Sequence, residues 1–228
     1  MTPTIVLFDL DGTLVSCGGA GRRAIARAFG ALHDRPDACD AFSFDGMTDQ
    51  TIARQGLTAI GVTAHDERIG ALLARYLEAL REELGQLPEA RYVVHAGARE
   101  AVAAATARGF AVGLGTGNVR EGARLKLQRA DLVEAFAFGG FGDDAEARPE
   151  LVLRGAQRGA AHLGVPLARA RVLVVGDTTR DVHAAQAIGA ACLAVATGGT
   201  PLEALRAAGA TWAFSSLAAP GALEALLG

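Results

Sequence analysis

Two short acidic stretches are the first places where residue type and spacing could do chemistry. In Phe8-Asp9-Leu10-Asp11-Gly12-Thr13-Leu14 a carboxylate closes an apolar run and a second follows two residues later. In Val175-Gly176-Asp177-Thr178-Thr179-Arg180-Asp181 an acid again closes an apolar run, and another follows four residues on. Asp and Gly are common turn formers, and Asp177 or Thr178 would also suit a helix N-cap. Neither habit explains why two separate strands both end in acids. In an open α/β sheet the ligand crevice lies outside the carboxyl ends of the strands, so the acids would converge there. Hard carboxylate oxygens suit Mg²⁺, and no Cys or His stands beside them to suggest zinc. A third stretch, Leu114-Gly115-Thr116-Gly117-Asn118, sets a hydroxyl between glycines where a strand gives way to a helix. A hydroxyl and open backbone N–H groups at that place are a natural phosphate contact. In Ala147-Arg148-Pro149-Glu150 the proline suits the first helical position, leaving Arg148 near the N-cap.

The elements that must position these groups are readable. Strands are expected at 4–9, 110–115, 135–139, 171–177, 191–195 and 211–214. Their apolar runs are continuous rather than alternating, as in strands buried on both faces of a parallel sheet. Helical patterns cover 97–108, 119–129, 149–163, 179–188, 201–208 and 216–227. Helix and strand alternate from residue 97 onward, which gives an α/β doubly wound parallel sheet. About ninety residues separate the first strand from the next core helix. They hold amphipathic stretches at 20–31, 47–59 and 65–84 and no convincing strand. Residues 16–93 are therefore expected to form an inserted helical cap on a Rossmann-like core built from 1–15 and 94–228. Its hinges would be Gly18-Gly19-Ala20-Gly21 and the stretch from Leu87 to Gly97.

Composition narrows the partners. Against 25 acidic residues stand 22 basic ones, a net charge of −3 that offers no basic surplus for nucleic acid. Lys126 is the only lysine; the other basic residues are arginines. No apolar run approaches the ~20 residues of a membrane helix, and the N-terminus lacks the marks of a signal peptide. Three scattered cysteines fit a reducing compartment. A soluble cytoplasmic protein, monomer or homodimer, with no membrane partner is expected.

In order and spacing the four pieces resemble the haloacid dehalogenase superfamily of hydrolases: DxDGT, a Thr after the second core strand, a basic residue before a later helix, and GDxxxD. The resemblance spans essentially the whole chain. The insert stands where one large subgroup carries a helical cap. Phe44-Asp45-Gly46-Met47-Thr48-Asp49 is similar to the Gly-x-Thr-Asp stretch of phosphoglycolate-phosphatase-like members. The resemblance implies a Mg²⁺-dependent phosphatase with Asp9 as nucleophile and Asp11 as general acid, then base. Mg²⁺ would be held by Asp9, the Asp11 backbone carbonyl and Asp177, with Asp181 in support. Thr116 and the Gly117 amide, beside Asn118, would hold phosphoryl oxygens. Arg148 would balance the charge of the intermediate, with Lys126 its rival for that role.

A dehalogenase proper would lack Asp11, and a phosphonatase would need a cap lysine that this chain does not have. A mutase of the β-phosphoglucomutase type would keep all four motifs. A receiver-like signalling module would be about half the length and capless. The substrate is expected to be a small phosphorylated metabolite, selected by Arg22, Arg23, Thr48 and Asp49 in the cap. An arginine at the start of the first cap helix would meet a substrate carboxylate, which favours a small acidic ester such as phosphoglycolate over a nucleotide.

Overall fold

The computed structural model describes residues 2–228. Strands β1 (Thr4–Phe8) and β2 (Val15–Ser16) are followed by helices α1 (Ala20–His33), α2 (Asp49–Ala59) and α3 (Asp66–Gln86). Then come β3 (Val93–Val94), α4 (Ala98–Ala107), β4 (Ala111–Gly115), α5 (Arg120–Gln128) and β5 (Phe138–Gly140). The chain ends with α6 (Arg148–His162), β6 (Arg171–Gly176), α7 (Thr179–Ala187), β7 (Ala191–Val195), α8 (Leu202–Ala207), β8 (Trp212–Phe214) and α9 (Ala222–Leu227).

Six strands form one parallel sheet in the order β5-β4-β1-β6-β7-β8. Alternate residues of each strand enter different cores. Val6, Phe8, Leu114, Leu173 and Val175 pack with α4, α5, α9 and the helical cap. Ile5, Leu7, Val174, Cys192 and Ala194 pack with α6, α7 and α8. Both faces being covered, the central strand positions are apolar on both sides, which is why the runs are continuous. The same topology puts the ends of β5, β4, β1 and β6 side by side, and the chemistry-bearing stretches follow those ends. The chain leaves β1 on one side toward β4 and returns on the other at β6, so the crevice lies at the switch in strand order.

The helical insert α1–α3 leaves and rejoins the core through a two-stranded antiparallel ribbon not foreseen from sequence, with Val15 opposite Val94 and Ser16 opposite Val93. The expected boundaries at 15/16 and 93/94 fall inside this ribbon. Two-residue strands carry too little pattern to be read in advance. The insert also sets the chain apart from a receiver-like module. Two expected elements shift. The strand expected at 135–139 begins only at Phe138, because Val133–Ala135 closes a 3₁₀ turn. The helix expected at 216–227 begins at Ala222, after Pro220 and a left-handed Gly221 (φ 86°) that no helix continues through. No helix among the described residues is long and apolar enough to cross a membrane.

Candidate active site

Three carboxylates meet at the sheet edge. Asp9 follows β1, and its N–H donates to the Val175 carbonyl at 2.8 Å, tying it to β6. Asp177 follows β6 directly, and Asp181 lies in the first turn of α7. All three are buried, and one oxygen from each lies within 4.8 Å of the others. Close approach is possible only because neighbouring backbone carries no side chain. A Cβ on Gly12 (φ 82°) or on Gly198 would run into the Asp177 carboxylate.

Each acid has its own partners. Thr13 Oγ1 donates to Asp177 Oδ1 at 3.0 Å. Asp181 completes a capping box with Thr178, accepting from the Thr178 backbone N–H at 3.0 Å and hydroxyl at 2.7 Å. Its other oxygen takes Arg148 Nε at 2.7 Å. Both Asp181 oxygens are thus engaged. Arg148 opens α6, where the helix dipole disfavours a cation. The carboxylates override that, with Nη2 2.9 Å from Asp9 Oδ1 and 2.5 Å from Asp181 Oδ1. Despite these distances Nη2, among the described residues, makes ion pairs but no well-directed hydrogen bond.

The electrostatics call for positive charge. Burial pushes Asp9 up from 3.8 to about 6, a rise that Arg148 moderates. Burial, reinforced by the charges of Asp9 and Asp181, pushes Asp177 to about 8. Burial alone would lower Arg148, yet Asp181 and Asp9 hold it above its ordinary value. Three buried carboxylates against one guanidinium leave an excess of negative charge, so the donor set fits a hard divalent cation such as Mg²⁺. Among the described residues, Asp177 Oδ2 has no hydrogen-bond partner, and Asp9 meets only Arg148 among the side chains.

Most of the remaining predicted residues, Thr48 and Arg23 excepted, line a cavity of about 400 Å³ between core and cap. Thr116 and Asn118 are buried, and Asn118 Nδ2 donates to Thr116 Oγ1 at 2.9 Å and to Asp11 Oδ2 at 2.8 Å. Lys126 Nζ meets Asp11 Oδ2 and Asn118 Oδ1, each at 2.6 Å. The two rivals therefore do not compete for one place: Arg148 joins Asp9 and Asp181, while Lys126 joins Asp11. Asp49 lines the cavity, accepting from the Val119 N–H at 2.8 Å, and burial raises it to about 6. Thr48 is the N-cap of α2 and meets the Glu146 carbonyl at 3.3 Å. It does not line the cavity.

The two cap arginines part ways. Arg22 lines the cavity, its guanidinium 3.8 Å above the Phe44 ring and donating to the Cys39 and Phe42 carbonyls. Arg23 lies outside that lining, bound to Glu83 at 2.6 Å and to the Gly18 carbonyl at 2.7 Å. Adjacent residues on a helix face different sides, so only one of the pair can serve the crevice. Sequence reasoning missed Tyr76 from α3 and Thr197-Gly198 after β7, all in the lining. Thr197 Oγ1 donates to the Gly12 carbonyl at 2.6 Å, bracing the first acidic turn. The only signal for it was a Thr-Gly-Gly turn following a strand.

Comparison with known proteins agrees with this fold. A family model described as a haloacid dehalogenase-like hydrolase matches residues 3–189. Over 208 residues the chain is 29% identical to a probable phosphatase, IndB, of Dickeya dadantii, covering 90% of this chain and 86% of that one. Over 213 residues it is 29% identical to a phosphoglycolate phosphatase of Synechococcus elongatus, covering 91% and 90%. The crystal structure of CbbY from Rhodobacter sphaeroides in complex with phosphate superposes with a TM-score of 0.73 over 98% of this chain and 99% of that one, at 20% identity.

Proposed function

The chain belongs to the haloacid dehalogenase-like hydrolases, and from that premise we propose that it is a Mg²⁺-dependent phosphatase of a small phosphomonoester, working through an aspartyl phosphate on Asp9. The observation that carries this reading is the buried meeting of Asp9, Asp177, Asp181 and Arg148, of which Asp9, Asp177 and Arg148 line the cavity between core and cap. Phosphatase names among the relatives support it.

In the first step an Asp9 oxygen bonds to phosphorus as the ester P–O bond breaks, and Asp11 protonates the departing alkoxide. In the second, water attacks the phosphorus, its proton passes to Asp11, and the bond to Asp9 breaks to release phosphate. Arg148 Nη2 and the Thr116 hydroxyl would donate to phosphoryl oxygens. Asp9, Asp177 and the Asp11 carbonyl would hold Mg²⁺, with Asp181 steadying Arg148 beside them. The cation supplies positive charge that lets an anionic nucleophile approach an anionic phosphate. Since Arg148 acts on the phosphoryl group, Arg148→Ala is expected to slow all esters alike, by about 10²–10³ in kcat. Steady-state kinetics on two unrelated esters checks this; a loss confined to one ester would move Arg148 out of the role.

The cavity lies at the small end of the ~300–1,000 Å³ of ligand sites, which fits a metabolite. Among the described residues Arg22 is the one cap arginine in the cavity lining; it would meet a substrate carboxylate, and phosphoglycolate is the ester we favour. A panel of phosphomonoesters assayed with and without Mg²⁺ tests the whole reading. Mg²⁺-dependent turnover of small esters is expected, with phosphoglycolate among the best. Arg22→Ala is then expected to raise KM for phosphoglycolate and leave p-nitrophenyl phosphate nearly unchanged. No turnover of any phosphoester would overturn the phosphatase reading; poor turnover of carboxylated esters alone would overturn only the substrate.

A further inference from the structure

The lone lysine of a chain otherwise supplied with arginine is buried beside the residue read as the general acid. The Lys126 side chain is 7% exposed, on the inward face of α5. A buried ammonium is costly unless its protons are taken up, and here Asp11 Oδ2 and Asn118 Oδ1 take up two of them. Asn118 Nδ2 donates to the same Asp11 Oδ2, and through its bond to Thr116 Oγ1 this amide is itself anchored. Two donors thus converge on one oxygen of Asp11. The other, Oδ1, has no protein partner among the described residues. The Asp11 side chain is 46% exposed and sits just before the left-handed Gly12, so no packing holds it.

We propose that Lys126 is a positioning residue: it pins Asp11 by Oδ2 and leaves Oδ1 as the oxygen that exchanges a proton with the leaving group. The proposal rests on the reading of Asp11 as acid and base. During the first step the Asp11 Oδ1–H bond breaks, its proton joins the ester oxygen, and the electron pair of the breaking P–O bond stays on that oxygen. Lys126 keeps its protons throughout. Arginine is not equivalent here, because its donors are fixed in a planar fork whereas the ammonium is a compact point charge whose donors rotate.

Leaving-group dependence tests this. p-Nitrophenolate departs without a proton, whereas phenolate is a stronger base and departs better with one. Single-turnover release of phenol and p-nitrophenol, with enzyme in excess, isolates the first step from the second. Lys126→Met is expected to slow release from phenyl phosphate by about 10–10²-fold, the scale of a misplaced catalytic group, while p-nitrophenyl phosphate changes little. Lys126→Arg is expected to restore only part of the loss. Asp11→Asn, run in parallel, should show the same selectivity more strongly. Equal loss on both esters, or none, in a folded Lys126→Met protein would overturn the proposal. If Asp11→Asn is also unselective, the reading of Asp11 itself falls. If the Met variant does not fold, Lys126→Gln and Lys126→Arg carry the same comparison, and a wild-type ratio of the two rates in both would overturn the role.

Discussion

Asp9→Asn is expected to leave a folded protein whose phosphatase turnover has fallen to background, several orders of magnitude below the unmodified chain. Asparagine has the size and shape of aspartate but no charge with which to attack phosphorus, and removal of a nucleophile costs on the order of 10⁶ in kcat in well-studied hydrolases. Folding should not suffer. Asp9 is buried 4% exposed among two like charges, and burial already raises it to about 6, so a neutral amide relieves repulsion there. The cost is the 2.9 Å contact to Arg148, which retains Asp181. Thermal melting and steady-state turnover of p-nitrophenyl phosphate, measured on one sample, separate the two effects. Mg²⁺-dependent turnover within tenfold of the unmodified protein would remove Asp9 from the nucleophile's role. Trapping supplies a second readout: beryllium fluoride, a mimic of the aspartyl phosphate, should protect the unmodified chain against unfolding and fail to protect the variant.

The part of this site that was legible in advance is the part built from neighbours in sequence. Asp9, Asp177, Thr116 and Arg148 each follow a strand directly or open a helix, and a parallel sheet brings strand ends together whatever lies between them. The inserted helices were legible for the same local reason, since α1, α2 and α3 carry apolar residues at helical spacing. What was not legible depends on long separations. Lys126 and Asp11 are 115 residues apart, and nothing in an amphipathic helix marks one polar residue on its inner face as an ion-pair partner. Arg23 and Glu83 are 60 residues apart, so the sequence offered Arg22 and Arg23 as equals although only Arg22 reaches the cavity. The ribbon of Val15–Ser16 with Val93–Val94 was hidden by its brevity.

Removing the metal is expected to abolish turnover, and the same acids that require it should make the metal-free protein less stable as pH rises. Excess EDTA should silence the enzyme and Mg²⁺ restore it. Asp177→Ala should lower activity by about 10³-fold, since a cation is worth several kcal/mol in the transition state and about 1.4 kcal/mol is a factor of ten. The sign of the pH effect follows from the direction of the shifts. Without a cation, Asp177 sits near 8 and Asp9 near 6, both above the ordinary 3.8. The folded chain then binds protons more tightly than the unfolded one, so stability falls with pH between about 4 and 8. Below that window both states are protonated and the penalty is absent; above it both are ionised and the penalty is complete. Mg²⁺ would bind the ionised acids, so its affinity and its stabilising effect should grow with pH. Melting curves at pH 6 and pH 9, with EDTA and with Mg²⁺, read this directly: the increment in Tm from Mg²⁺ should be larger at pH 9. In Asp177→Ala the metal-free profile should flatten and the increment shrink. Full activity in EDTA, or a Mg²⁺ increment that is the same at both pH values and in the variant, would separate this acidic cluster from metal binding.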